Sequence, residues 1–195
     1  MHVRLNYVDL RPELMEELKA FWRERVGGYK GMAKGHLLLD GIRSLSVVLF
    51  DTEANMNENT KGALQGVAKD ATRFRLSEPE VFAREMAGEV EGAPGTIGYA
   101  RVADVVFKKD KIAEAVATWP QQMAAYRNEP GFRSAYLCLD RKTGEAASVS
   151  FWGSKADVEA NEKSGAFKTA IGGHEAFMAG PPKRSAWDVI VVVGG

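Results

Sequence analysis

Cysteine and long apolar segments are scarce in this sequence of 195 residues. Cys138 is the only cysteine, so an internal disulfide is excluded, and its apolar surroundings are typical of an inert core thiol. No apolar run is longer than five residues, as in Val189–Val193, which is far too short to span a bilayer. The opening MHVRLNYVDL lacks the basic and apolar regions of a signal peptide. These features predict a cytoplasmic protein with no membrane partner.

Charge of one sign and cofactor motifs are lacking as well. Lys and Arg number 26 and Asp and Glu number 26, so no net charge favours nucleic acid as a partner. The sequence has no G-x-G-x-x-G, Walker, H-E-x-x-H, G-x-S-x-G or C-x-x-C motif. Its three histidines are scattered, which argues against a structural zinc site. Chemistry that depends on a nucleotide or a metal is therefore not predicted.

What the sequence does contain is an internal repeat. VRLNYVDLRPE, from Val3, aligns with ARVADVVFKKD, from Ala100, at a shift of 97. The shift then becomes 100 and later 102, because extra residues enter only at predicted turns, where loops absorb insertions. The matched pairs include Arg4 with Arg101, Trp22 with Trp119, Tyr29 with Tyr126, Leu37 with Leu137, Ser46 with Ser148, and Asn59 with Asn161. The chain is therefore one unit written twice.

Each repeat has the pattern of strand, helix, strand, strand, helix, strand. The first helix of the second repeat has one apolar face, formed by Ile112, Ala115, Trp119, Met123 and Tyr126. Ser154 is a suitable N-cap for a second helix that runs towards Phe177. Residues 88–98 have a linker composition with four glycines and a proline. They separate an N-terminal repeat, residues 1–90, from a C-terminal repeat, residues 95–195.

The order βαββαβ defines the ferredoxin-like unit, an antiparallel sheet with both helices on one face. The other face is apolar here too, because Leu37 and Leu39 point one way and Leu38 points the other. The nearest candidate to cover that face is the other repeat. The sequence thus predicts an α+β fold in which two ferredoxin-like repeats form a single-chain pseudo-dimeric α+β barrel with antiparallel sheets. A homodimer of intact chains would be an added layer of assembly.

Three segments of the second repeat carry a family resemblance: ARVADVVFKKDK, PGFRSAYLCLDR and SVSFWGSKADVEANEKSGAFK. They resemble antibiotic biosynthesis monooxygenase domains, and the first repeat looks like a diverged member. The resemblance covers nearly the whole chain and implies the dimeric α+β barrel fold. The family includes quinone-forming monooxygenases, haem-degrading enzymes and stress proteins, so the resemblance specifies fold better than activity.

In cofactor-free members of this family, the activated substrate itself supplies electrons to oxygen. Such a site must deprotonate a phenol or enol, stabilise the anion and exclude water. The resemblance implies a cofactor-independent monooxygenase of a small aromatic or enolisable substrate, with one pocket, between sheet and helices of the second repeat. The candidate catalytic residues are Trp152, His174 and Arg101, and the candidate ligand-binding residues are Tyr136, Asn6 and Phe50.

Each candidate also has a structural alternative. Trp152 and its counterpart Phe50 are large aromatics typical of core packing. Arg101 has a matching arginine in the first repeat, which is typical of ion pairs that serve the fold. His174 lies near a predicted helix end, where a solvated histidine is common. Tyr136 matches a second polar aromatic in the first repeat, which fits packing as well as a pocket.

Haem degradation is the first alternative function, with haem as its cofactor. That branch of the family uses an Asn on the first strand and a His on the second helix. Asn6 fits the Asn position only in the first repeat, because Ala103 replaces it in the second, and His174 lies just past the expected 171–173. The monooxygenase set is incomplete too, since Ser148 stands where members can carry an Asn. A ligand-binding or stress protein without catalysis is the second alternative.

Overall fold

The computed structural model describes residues 1–62, 68–165, 168 and 172–194. The first repeat contains β1 (His2–Asp9), α1 (Met15–Gly27), β2 (Met32–Asp40), β3 (Arg43–Phe50), α2 (Glu53–Gly62), α3 (Ala68–Thr72) and β4 (Glu80–Glu91). The second contains β5 (Tyr99–Val106), α4 (Ile112–Ala124), β6 (Phe132–Leu139), β7 (Glu145–Trp152), α5 (Lys155–Ser164) and β8 (Lys183–Val193). None of these described helices is long and apolar enough to cross a membrane.

The eight strands form a closed antiparallel barrel in the order β1-β3-β2-β8-β5-β7-β6-β4. Within each repeat, the third strand lies between the first and the second. β3 thus pairs with β1 and β2, and β7 pairs with β5 and β6. This arrangement of helices and antiparallel strands confirms the predicted α+β fold class.

The chain divides into two compact units whose borders differ from those of the repeats. Unit 1 comprises Met1–Arg84 with Val189–Gly195, and unit 2 comprises Glu85–Asp188, so β4 and β8 each contribute to both. Within unit 2, residues 85–91 of β4 pair with β6. The predicted linker at 88–98 is therefore wrong at its start, because residues 88–91 belong to a strand that completes the sheet of unit 2.

In unit 1, α1 packs on one face of the strands. It buries Leu18, Trp22 and Val26, which follow one another at a helical turn and so share one side of the helix. The strands contribute alternate side chains, because neighbouring residues of a strand point to opposite faces. Those in the core are Leu37 of β2, Val48 and Phe50 of β3, and Val191 of β8. This packing leaves the polar residues of β1 on the same face as α1.

In unit 2, α4 buries the face that its periodicity predicted: Ile112, Ala115, Trp119 and Met123. Val90 of β4 belongs to the same core and is 1% exposed. The predicted N-cap of the next helix is confirmed, because the Ser154 side chain accepts a hydrogen bond from the Asp157 backbone N–H.

The predicted length of that second helix is wrong. α5 ends at Ser164, and Gly165 follows with a φ of 83°, a left-handed conformation that favours glycine at a helix end. Glu175–Phe177 forms a separate 3₁₀ turn. The predicted helical residues 166, 167 and 169–171 lie outside the described residues. His174 therefore precedes a turn and does not lie on α5.

Candidate functional site

Each unit encloses a cavity between its long helix and the strand face that packs against it. The cavity of unit 1, bounded by β1, β3 and α1, measures about 180 Å³. The corresponding cavity of unit 2, bounded by β5, β7 and α4, measures about 60 Å³. A protein cavity of about 150 Å³ can bind benzene, whereas a water molecule needs only about 10–15 Å³. Of these two equivalent cavities, the one in unit 1 can hold an aromatic ring. Unit 2 also has a more open groove of about 490 Å³, which Arg101 lines together with Val158, Glu162 and Arg184.

In unit 2, a buried arginine is fully engaged by its surroundings. The guanidinium carbon of Arg101 lies 5.5 Å from the ring centre of Tyr126 and 5.6 Å from that of Trp152. Its Nη1 donates to Asn161 Oδ1 at 3.2 Å and lies 3.7 Å from a carboxylate oxygen of Glu162. Burial lowers the pKa of Arg101, while Glu162 opposes this effect. The positive charge is therefore compensated within the protein.

The other polar groups around the small cavity also bond to one another. Trp119 Nε1 donates to Ser148 Oγ at 3.3 Å. His174 Nε2 lies 3.1 Å from the carbonyl oxygen of Ala115. Burial lowers the pKa of His174, so the ring is neutral at pH 7. The cavity has little space for a ligand, although Gln122 Oε1 in its lining is buried and accepts no hydrogen bond from a described residue.

In unit 1, the equivalent arginine lacks this compensation. The guanidinium carbon of Arg4 lies 5.0 Å from the ring centre of Tyr29 and 5.5 Å from that of Phe50. Among the described residues, Arg4 Nη1 donates one long hydrogen bond, of 3.4 Å, to Thr60 Oγ1. No carboxylate among the described residues lies within ion-pair distance of Arg4, which is only 7% exposed. A buried positive charge of this kind favours an anionic ligand.

Asn6 lies two residues after Arg4 on β1, so both side chains point to the same face, towards the cavity of unit 1. Its Oδ1 is buried and accepts no hydrogen bond from any described residue. An unsatisfied buried acceptor costs about 1–3 kcal/mol. A ligand that donates a hydrogen bond removes this cost. At the equivalent position of unit 2, Ala103 offers no acceptor.

One side chain accounts for much of the difference in cavity size. Isolated β-bridges set the alignment of the two units: Leu10 with Arg75, and Phe107 with Met178. In this alignment, Ala71 corresponds to His174. The imidazole of His174 packs against Phe107 and Phe177 and occupies space that the methyl group of Ala71 leaves open. The equivalent cavity of unit 1 is larger for this reason.

The predicted catalytic residues do not all meet at one cavity. Arg101 and His174 line the small cavity of unit 2. His174 is 4% exposed, so the alternative of a solvated histidine is wrong. Trp152 does not line that cavity, because it is fully buried against Tyr126 and Phe132. The catalytic roles proposed for these residues stay predictions.

The predicted ligand-binding residues also lie in different places. Tyr136 is buried against Phe151, on the strand face opposite to the cavity, so it cannot line the pocket as predicted. Asn6 lines the larger cavity. Phe50 lies beneath the guanidinium of Arg4 and acts as part of the cavity's support. Of these three residues, only Asn6 can contact a ligand in unit 1.

The sequence interpretation missed three residues that distinguish the larger cavity: Arg25, Arg75 and Ala71. A signal for Arg25 was available, since the residue 97 positions later is Gln122 and the other lining positions of this helix are apolar. Ala71 and Arg75 gave no signal. Their correspondence to the second repeat depends on the β-bridges, which the sequence does not show.

Comparison with known proteins supports the predicted resemblance. Residues 99–172 match the family model described as antibiotic biosynthesis monooxygenase. Within this α+β protein, the part that is similar to antibiotic biosynthesis monooxygenases thus lies in the second repeat. No curated protein matches the chain.

Solved structures are similar over nearly the whole chain. An anthrone oxidase-like protein shares 18% identity, with a TM-score of 0.70 and coverage of 98% of this chain and 92% of that one. A monooxygenase-like protein from Listeria innocua shares 12%, with a TM-score of 0.58 and coverage of 96% and 94%. A heme-degrading enzyme from Listeria monocytogenes shares 12%, with a TM-score of 0.57 and coverage of 96% and 99%. At these identities the likeness shows the fold alone.

The described residues do not fit haem as a resident group. His174, the histidine of the haem alternative, faces a cavity of about 60 Å³, which is too small for a porphyrin. The described linings of the unit 1 cavity and of the open groove of unit 2 contain no histidine. Across the described parts of the chain, no three His, Cys, Asp or Glu side chains are grouped as metal ligands. The haem alternative therefore lacks a site among these residues.

Proposed function

We propose that this protein is a cofactor-independent monooxygenase that binds a small aromatic, enolisable substrate in the cavity of unit 1. The observation that carries the proposal is the buried guanidinium of Arg4, which has no carboxylate partner among the described residues. The unpartnered Oδ1 of Asn6 beside it supplies an acceptor for a substrate hydroxyl. The similarity to an anthrone oxidase-like protein supports the choice of an enolisable aromatic ketone.

The cavity suits an aromatic molecule that becomes an anion. Its walls include Leu18, Trp22 and Phe74, which exclude water from the face of a ring. Arg4 stabilises the negative charge that develops on the enolate or phenolate oxygen. This stabilisation is stronger in a buried site than in water, because the effective dielectric constant is lower there.

No described lining residue of this cavity is a histidine, aspartate or glutamate. The substrate proton therefore passes to water, and not to a base among these side chains. Arg4 assists by lowering the pKa of the bound substrate, because the opposite charge favours the anion. The proposal thus limits substrates to carbon acids and phenols that ionise near neutral pH in this cavity.

The reaction then needs only the substrate and oxygen. A substrate CH₂ group loses one proton to water, and the carbanion adds to O₂ to form a peroxide anion. This anion takes up a proton, and the hydroperoxide eliminates water to leave a ketone. One oxygen atom ends in the ketone and the other in water, and the substrate carbon supplies all four electrons. No external reductant is consumed.

The test is oxygen uptake with anthrone and related hydroxylated aromatics, without added flavin, metal or haem. We expect the wild-type protein to consume one O₂ per ketone formed. Arg4→Met should lower kcat/KM about 10²- to 10³-fold, the usual effect of losing one group that stabilises a developing oxyanion. The rate of this variant should also rise at higher pH than that of the wild type, because the bound substrate no longer has its pKa lowered by Arg4. A purely structural role of Arg4 would not shift the pH profile.

Matched variants assign the reaction to one cavity. Asn6→Ala gives unit 1 the alanine that unit 2 carries at position 103, and it should weaken substrate binding without loss of folding. Arg101→Met removes the equivalent arginine of unit 2, and its effect on uptake should be smaller than that of Arg4→Met. A larger effect of Arg101→Met would assign the site to unit 2. Ligand binding by folded protein with no uptake would refute oxygenase activity and favour a binding protein.

A further inference from the structure

We propose that the ligand of the unit 1 cavity carries a second anionic group, a carboxylate or a group of similar charge, which Arg25 and Arg75 bind at the cavity mouth. This inference rests on the proposed function of the same cavity, in which Arg4 binds the ionised oxygen at the inner end of the ligand. It narrows the substrate class to aromatic acids whose carboxylate lies at the end opposite to the ionisable oxygen.

Three arginines line this cavity at increasing distance from its interior. The exposed fraction is 7% for Arg4, 21% for the side chain of Arg75 and 41% for that of Arg25. No aspartate or glutamate belongs to the described lining. The cavity thus has one buried positive charge and two at its opening, a pattern that fits a ligand with two separated negative groups.

The carboxylates that face the two outer arginines are poor competitors for a ligand. Arg25 Nη2 lies 3.4 Å from Asp70 Oδ2, and Arg75 Nη1 lies 3.3 Å from Glu78 Oε2. The side chains of Asp70 and Glu78 are 67% and 87% exposed, so both pairs are hydrated and weak. An arginine can turn from such a partner to a ligand carboxylate, which its planar guanidinium binds with two parallel hydrogen bonds.

The second unit serves as an internal comparison. Its equivalents of Arg25 and Arg75 are Gln122 and Met178, and both line the cavity that is nearly filled. In these two equivalent cavities, outer positive charge therefore occurs with the larger volume and is absent from the smaller one. A role in the shared fold would not explain this difference, because unit 2 has the same arrangement of strands and helix without the two arginines.

Equilibrium binding of three small probes tests the inference. The probes are 1-naphthol, 4-hydroxy-1-naphthoate, whose carboxylate lies opposite the hydroxyl, and 3-hydroxy-2-naphthoate, whose carboxylate lies next to it. Binding is followed by quenching of tryptophan fluorescence, since Trp22 lines the cavity. We expect 4-hydroxy-1-naphthoate to bind about tenfold more tightly than 1-naphthol at low salt, because charge-assisted hydrogen bonds to arginine are strong. This preference should decrease as salt increases.

Arg25→Gln and Arg75→Met introduce the residues that the second unit carries. Each should remove most of the preference for 4-hydroxy-1-naphthoate and leave the affinity for 1-naphthol unchanged. The control is Arg141→Gln, which removes one positive charge from unit 2, where Arg141 pairs with Glu85 at 2.7 Å. This control should retain the preference.

The outcomes separate this inference from the proposed function. Equal affinity for 1-naphthol and 4-hydroxy-1-naphthoate, or binding of neither, would overturn the inference whatever the oxygen uptake. An equal loss of preference in Arg141→Gln would overturn it too, because net charge would then be the cause. A preference for 3-hydroxy-2-naphthoate would contradict the assigned ends of the ligand. A preference for 4-hydroxy-1-naphthoate that Arg25→Gln and Arg75→Met remove, without oxygen uptake, would support the inference and refute only the oxygenase.

Discussion

Ala71 and His174 occupy corresponding positions in the two units, and the size of this one side chain affects whether a ligand has room beside the buried arginine. The charge compensation of Arg4 and Arg101 likewise depends on the side chains around them. Both lie over two aromatic rings, but only Arg101 has an amide and a carboxylate close to its guanidinium among the described residues. Identical residues at equivalent positions therefore have different electrostatic roles.

Ala71→His should close the larger cavity by giving it the side chain of the smaller one. We expect the affinity for 1-naphthol to fall about 10- to 100-fold, since overpacking of a filled site costs about 1–3 kcal/mol. The measurement is the same fluorescence titration. Thr72→His, one residue further along at an exposed position, is the matched control and should bind like the wild type. Unchanged binding by Ala71→His would show that the ligand does not occupy this cavity.

At the scale of elements, the end of β4 is as important for the fold of unit 2 as its helices are. Residues 85–91 pair with β6 within unit 2, and Val90 and Ala87 pack against its core. Gly88 lies so close to α4 that an added Cβ would be 2.7 Å from the Trp119 ring. A glycine in a strand marks such a close approach of two elements. Unit 2 therefore depends on a strand that comes before the second repeat in the sequence.

A fragment of residues 95–195 lacks this strand and should not fold as a stable monomer. Its β6 would lose a hydrogen-bonded neighbour, and Trp119 and Leu137 would lose their cover. We expect aggregation or self-association in analytical ultracentrifugation, and a compact species after mixing with residues 1–94. A fragment of residues 84–195, which keeps the strand, is the control and should be more soluble. A well-folded monomer of residues 95–195 would contradict the prediction.

At the scale of the whole molecule, the duplication has given one chain two versions of the same cavity. The version in unit 1 has the larger volume and an arginine without a carboxylate among the described residues, and the version in unit 2 has the smaller volume and an arginine with an amide and a carboxylate beside it. Buried histidines differ between the repeats as well, since His36 of unit 1 is 1% exposed and has Tyr136 as its counterpart. The stability of the molecule therefore depends on pH through residues that are not shared by the repeats.

The free energy of unfolding should fall as the pH falls from about 6.5 to about 4. Burial, with a smaller effect of Lys34, lowers the pKa of His36 from 6.5 to about 4. As the pH falls, His36 of the unfolded protein takes up a proton at a higher pH than His36 of the folded protein. The contribution of neutral His36 to the free energy of unfolding is therefore fully present above pH 6.5, and about 3 kcal/mol is lost by about pH 4. His174 acts in the same direction. His36→Tyr, which introduces the residue of the second repeat, should flatten this slope in urea unfolding, and an unchanged slope would exclude His36 as a cause.

Much of the fold could be predicted from the sequence because its signals are local or repeated. The apolar face of α4, the N-cap at Ser154 and the βαββαβ order follow from spacing and residue type, and the repeat gave the order of elements twice. The end of β4 was missed, since the glycines of residues 88–92 suggest a linker when their neighbours are unknown. The glycine at 88 lies close to Trp119, a contact between residues far apart in the sequence.

The candidate site also has features that the sequence predicted and features that it did not. The sequence by itself determined the duplicated α+β fold, the arginine on the first strand of each repeat, and the family resemblance of the second. Only the tertiary structure decided which of the two equivalent cavities is larger, because cavity volume depends on side chains such as Ala71 and His174 that lie far along the chain from the strands they face. It also decided which arginine lacks a carboxylate among the described residues, since partners such as Asn161 and Glu162 reach Arg101 only when α5 packs on the sheet. Volume and charge compensation are properties of contacts in space, and a pattern along one chain does not contain them.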